Sequence, residues 1–209
     1  MRGWLAPPAQ RDYHRLNPMR NPSLFLPVAL LLAVGCPGGS GQFGHFEGKV
    51  KTEWIEANRK MQLLEDFSHV DAKGVKWPAP KGSIVDGASI PQVLWSVVGS
   101  PYTGEHRNAS VVHDVACVTR DHPWQDVHRM FYEACRAGGV GEQKAKLMYS
   151  AVYHFGPKWA PGGTSMFYMR TMPVEEEFAQ LKTYVETGDR SLEEIESFSA
   201  VRSPVRTPP

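Results

Sequence analysis

Residues 85–115, "VDGASIPQVLWSVVGSPYTGEHRNASVVHDV", decide the fold, because within them the chain turns from extended to helical and gathers most of its candidate chemistry. Ser89 offers a capping hydroxyl to a short helix through Ile90, Pro91, Val93, Leu94 and Val97. Pro91 is tolerated there, since first-turn amides have no intrahelical partner, and Gly99 ends the segment. A second helix is expected from about Arg107 to Val118, with Ala109, Val112 and Ala116 on one face.

Downstream, Asp121 and Pro123 open a third helix through Trp124, Val127, Phe131, Ala134 and Cys135, stopped by Gly138-Gly139. A fourth is expected over about Glu142 to Phe155, with Ala145, Met148, Tyr149 and Val152 on one face and Gly156-Pro157 after it. "PVEEEFAQLKTYVETG" reads as a further amphipathic helix, and "SLEE" at 191–194 has the spacing of a capping box. Upstream, "MQLLEDFSHVD" and "VKWPAP" flank Ala72-Lys73-Gly74, which predicts a β-hairpin with Leu63, Phe67, Val75 and Trp77 on its apolar face. The expected class is α+β: a small antiparallel hairpin or sheet packed on a bundle of about four to five helices.

The remaining chain reads as attachments to this centre. Residues 1–18 do not resemble a signal, and the expected start is Met19. Residues 19–36 combine Arg20, an apolar run from Leu24 to Val34 and Cys36, which suits a signal peptide ending in a lipobox-like "AVGC" with Cys36 as the lipid attachment point. Residues 37–49 read as a flexible tether, 50–160 as the globular domain, 161–198 as a helical C-terminal extension and 199–209 as a disordered tail. The expected setting is therefore the cell envelope, with the membrane contacted through the signal or its lipid; a single N-terminal anchor or secretion are the alternatives. With 23 Lys+Arg against 22 Asp+Glu and no basic block, nothing points to nucleic acid as a partner. Cys117 and Cys135 either form a disulfide, which an oxidising compartment permits, or stay buried as small apolar side chains.

Candidate chemistry centres on His113-Asp114 and, on the next helix, Asp126 and His128. His113, Asp114 and Asp126 are the candidate catalytic set, histidine as general base and the acids as orienting groups. Asp86, His113, Asp114 and His128 are the candidate ligands for a divalent metal. The opposing reading is structural: Asp86 bonds its own turn, Ser89 caps its helix, Asp114 clamps the loop to the helix, and His113 is a satisfied core histidine. Gly87, Ser89, Pro91, Trp95 and Gly99 are assigned to shaping the loop. No phosphate-cradling glycine loop and no Gly-x-Ser-x-Gly elbow is present.

"VDGASIP", "GSPYTGEHRNASVVHDV", "WQDVHRMFYEACRAGGV" and "AKLMYSAVYHFGPKW", in this order over roughly residues 51–159, resemble the domain-of-unknown-function family 1353 of bacteria, tailed phages and prophages. The resemblance implies a defined domain and no established activity; with the export signal, the expected partner is an unidentified envelope or phage-related one. A noncatalytic binding or structural role is preferred; a small metal-dependent or acid/base hydrolase on His113, Asp114 and Asp126 is the alternative.

Overall fold

The computed structural model describes residues 41–55, 60–87, 90–100, 103–166 and 172–202. In chain order the elements are β1 (His45–Glu47), β2 (Thr52–Trp54), β3 (Met61–Leu63), β4 (Phe67–Val70), β5 (Lys76–Ala79), β6 (Ile84–Val85), a 3-10 turn (Gln92–Leu94) running into α1 (Trp95–Val98), α2 (Arg107–Thr119), α3 (Trp124–Ala137), α4 (Glu142–Phe155), β7 (Lys158–Trp159), β8 (Ser165–Met166), α5 (Val174–Glu186) and α6 (Leu192–Arg202). The class is α+β, as expected.

The predicted hairpin is β4 and β5, paired antiparallel from Phe67 opposite Ala79 to Val70 opposite Lys76. One carboxylate holds its turn. Asp71 Oδ1 accepts the amides of Lys73 and Val75, each at 2.9 Å, and Oδ2 accepts the Trp77 indole N–H at 3.2 Å. This local bonding is the mechanism by which aspartate favours turns. Trp77, Phe67 and Leu63 are buried as expected, but Val75 is exposed because it lies in the turn and not on the inward face.

The sheets are larger than a hairpin. β1 adds to the free side of β4, giving the order β1-β4-β5, and β2, β3 and β6 form a second three-stranded antiparallel sheet. The expected tether at 37–49 is thereby corrected: from Gly41 onward it is built into the domain, with His45 opposite Val70 and Phe46 stacked on Phe67 at 5.5 Å. Glycine makes the approach feasible. A Cβ on Gly44, at φ +83°, would lie 2.0 Å from the Val70 carbonyl oxygen.

The helices pack on these sheets through one apolar cluster. It includes Val112 and Ala116 from α2, Val127 and Phe131 from α3, Met148 and Tyr149 from α4, and also Phe178, Leu181 and Val185 from α5 and Ile195 from α6. The expected extension at 161–198 is therefore part of the same core. Its last helix is pinned by Glu196, which accepts from Tyr149 Oη at 2.6 Å and from Arg129 Nη2 at 2.5 Å. The expected capping box forms at α6: Ser191 Oγ accepts the Glu194 amide at 3.2 Å, while the Glu194 carboxylate accepts the Ser191 amide at 2.8 Å. α6 reaches Arg202, so 199–202 are helical and not tail; Ser199 is buried. Among the described residues no helix is long and apolar enough to cross a membrane. Residues 1–36, including Cys36, Ser89 and residues 203–209 lie outside the described residues.

Candidate functional site

Adjacent residues on a helix point about 100° apart, so His113 and Asp114 serve different neighbours. Asp114 faces the sheet side. Its Oδ2 accepts the buried Gly87 amide at 2.7 Å, linking the loop after β6 to α2 across 27 residues. Gly87 sits at φ +67°, a torsion that glycine adopts without strain. Asp114 also borders a small cavity of about 40 Å³ with Val85, Arg107 and Val111. Nearby, Trp95 Nε1 donates to the Ile90 carbonyl at 3.1 Å, Pro91 precedes the 3-10 turn, and Gly99 ends α1 at φ +102°.

His113 faces α3. The chain reverses between α2 and α3 through Arg120, whose φ of 57° is left-handed, and Pro123 opens α3. His113 lies at the middle of α2 and His128 on the first half of α3, and the reversal brings the two rings together. His113 Nε2 and His128 Nδ1 are 2.8 Å apart. His128 Nε2 is 3.1 Å from the Pro157 carbonyl oxygen, and Cys117 Sγ is 3.7 Å from His113 Nε2 and 3.9 Å from Nδ1. His113 is 1% exposed and His128 0%.

The proton positions follow from the acceptors. A carbonyl can only accept, so His128 carries its proton on Nε2 and presents a bare Nδ1. His113 must then donate through Nε2, leaving its own Nδ1 bare on the Cys117 side. The result is a directed chain of neutral rings: His113 N–H to His128, His128 N–H to Pro157. Burial pushes the His113 pKa down to about 3. Burial also pushes His128 well down, with the neighbouring His113 and the Lys158 ammonium acting the same way and the Pro157 carbonyl opposing. Phe131, Trp124 and Tyr153 surround the pair, with the Phe131 ring 4.8 Å from that of His113.

The structure brings together only part of the predicted set. Asp126 lies two positions from His128 on α3, roughly 200° around the helix, and is exposed on a depression shared with Asp71, Trp77, His122 and Arg129. Asp86 is exposed at the end of β6. An Asp86–His113–Asp114–His128 metal centre is thus corrected: one oxygen donor is at the surface and the other serves Gly87. The Cys117–Cys135 disulfide is corrected too, since both remain separate buried thiols. Cys117 lies beside His113, and Cys135 has its thiol pKa pushed up by burial. Among the described residues, the cluster of potential ligands is His113, Cys117 and His128, whose donor atoms all lie within 4.8 Å of one another. Cys117 was missed, although its i, i+4 spacing from His113 on a helix was a legible signal. The Pro157 carbonyl carries no sequence signal.

At the α2–α3 reversal, a cleft of about 520 Å³ opens between that turn and β7–β8, lined by Arg120, His122, Gln125 and Met166 among others. Its size is that of small-molecule sites. Arg120 spans it, donating to the Cys117 carbonyl at 3.4 Å and the Gly163 carbonyl at 2.5 Å and lying over the Trp159 ring.

Residues 61–152 match the family described as "Protein of unknown function (DUF1353)". The chain is 46% identical over 119 residues to Uncharacterized protein y4jT of Sinorhizobium fredii, covering 56% of this chain and 35% of that protein. It is 43% identical over 104 residues to Uncharacterized protein y4iH of the same organism, covering 50% of this chain and 43% of that protein. The chain thus spans less than half the length of both relatives. No solved structure matches. Over residues 61–152, the stretch that carries His113, Cys117 and His128, the chain is similar to the DUF1353 family of proteins of unknown function.

Proposed function

We propose that the folded domain is a noncatalytic structural or binding module, held at the bacterial envelope through its N-terminal segment and serving an envelope or phage-related partner. One observation carries the noncatalytic part: the His113 ring is fully buried and its Nε2 is engaged with His128. A general base must come within hydrogen-bond reach of the proton it takes, directly or through one water. An imidazole sealed among Phe131, His128 and Cys117 does not meet that requirement. The acids that would complete a hydrolase are also engaged elsewhere, Asp114 on the Gly87 amide and Asp126 on another face of α3.

In this reading Asp114 acts through stability. Asp114→Ala strips a buried amide of its acceptor, and the unfolding free energy should fall by about 1–3 kcal/mol in urea titration. A variant as stable as the wild type removes the clamp. The envelope part rests on the apolar run 24–34 and Cys36. In cells fed labelled palmitate, the wild-type chain should take up label and Cys36→Ser should not; label retained by the variant refutes lipid attachment there.

A further inference from the structure

His113, Cys117 and His128 make a donor set of two imidazole nitrogens and one sulfur, closed off from water. We propose that these three side chains form a three-coordinate site for a monovalent soft cation, Cu(I), bound by His113 Nε2, His128 Nδ1 and the Cys117 thiolate.

Geometry supports the three-way arrangement. Metal bonds of about 2.0–2.1 Å to nitrogen and about 2.3 Å to sulfur, spread trigonally, set the donors roughly 3.6–3.8 Å apart. The Cys117 Sγ to His113 Nε2 separation is already 3.7 Å. The 2.8 Å edge between the rings is at hydrogen-bond length. It widens by roughly 0.8 Å as the ion takes the place of the shared proton. His128 is already oriented as a ligand is, with its far N–H held by the Pro157 carbonyl; such an outer bond fixes tautomer and ring angle. Backbone also closes behind this ring, since a Cβ on Gly156 would sit 3.0 Å from His128 Cε1.

Charge selects the ion. With one thiolate and two neutral rings, Cu(I) makes a site of net charge zero, whereas a divalent ion leaves a buried positive charge. Uncompensated buried charge is strongly disfavoured, and the buried Lys158 ammonium that acts on His128 already adds positive potential. Soft thiolate donors favour Cu(I) as well, and hard oxygen-seeking ions find no carboxylate in the set.

The exchange balances simply. Cys117 S–H loses its proton to solvent, His113 shifts its N–H from Nε2 to Nδ1 and stays neutral, and the His113–His128 hydrogen bond is replaced by two metal–nitrogen bonds. One proton leaves per ion bound, and no oxidation state changes.

The test uses the full untagged chain, reduced and under anaerobic conditions, competing for Cu(I) with the chromogenic chelator bicinchoninate. The wild type should withdraw one equivalent, release one proton per ion and melt at a higher temperature when loaded. Cys117→Ala, or the near-isosteric Cys117→Ser should the first fail to fold, should lose about 100-fold or more in affinity, while Cys135→Ala keeps it. Zn²⁺ offered alone should bind far more weakly than Cu(I). Copper left with the chelator, wild-type affinity in the Cys117 variants, or tighter binding of Zn²⁺ than of Cu(I) overturns the proposal.

Discussion

Replacing His128 with alanine should lower the unfolding free energy by about 3–5 kcal/mol, since it opens a cavity and breaks two buried hydrogen bonds together. His128 joins the His113 N–H to the Pro157 carbonyl, so its loss strands a donor on α2 and an acceptor after α4. The same pair should make the protein acid-sensitive well above the carboxylate range. Both folded histidines have pKa values below the ordinary 6.5, His113 at about 3. Between those values the unfolded chain binds protons that the native one refuses. Stability is therefore whole above about pH 7 and falls with pH toward 3, with His113 alone accounting for about 2 kcal/mol between pH 6.5 and 5 and His128 acting in the same direction. Urea titrations at pH 7 and pH 5 check both effects. His128→Leu should flatten the pH dependence; an unchanged slope would contradict a neutral buried pair.

A loss of about 1–3 kcal/mol is expected of Glu177→Ala, which strips a buried ring nitrogen of His154 on α4 of its partner. Glu177 Oε1 stands 2.8 Å from His154 Nε2, with the two side chains 6% and 1% exposed. Truncating one partner of a buried pair removes its attraction and leaves the desolvation cost of the other. Because Glu177 lies on α5, the loss should appear as unfolding of the whole domain and not of the C-terminal helices alone. Thermal unfolding followed by both far-UV circular dichroism and tryptophan emission distinguishes these. The described region has its tryptophans outside α5 and α6. If emission keeps its wild-type midpoint while ellipticity falls early, the helices are a detachable appendage.

Helical periodicity made α2, α3 and α4 legible, because their apolar spacing and glycine or proline stops are local properties. The Asp71 turn and the Ser191–Glu194 box were legible for the same reason: the atoms that bond are within a few residues of one another. β1 was misread, since glycines that look like a tether are what allow Gly44 to lie against the Val70 carbonyl. The site was half legible. Counting acids and histidines brought in His113 and His128, but which donors converge depends on helix faces. Two residues of separation sent Asp126 outward while His128 went in. Four placed Cys117 beside His113, and the disulfide expectation had assigned it to another partner.

The reversal at Arg120 carries a consequence for what substitutions this protein can accept. Among the described residues it is the one non-glycine residue with positive φ, at a helix end where glycine or asparagine is ordinarily found. Its side chain reaches from the Cys117 carbonyl to the Gly163 carbonyl and covers the Trp159 ring. The backbone at this position selects for smallness, while the side chain selects for reach. A glycine here would relax the torsion but release the Gly163 carbonyl from the helical hairpin, leaving β7 held there by the Trp159 indole N–H on the His122 carbonyl, so the position trades local ease against long-range cohesion.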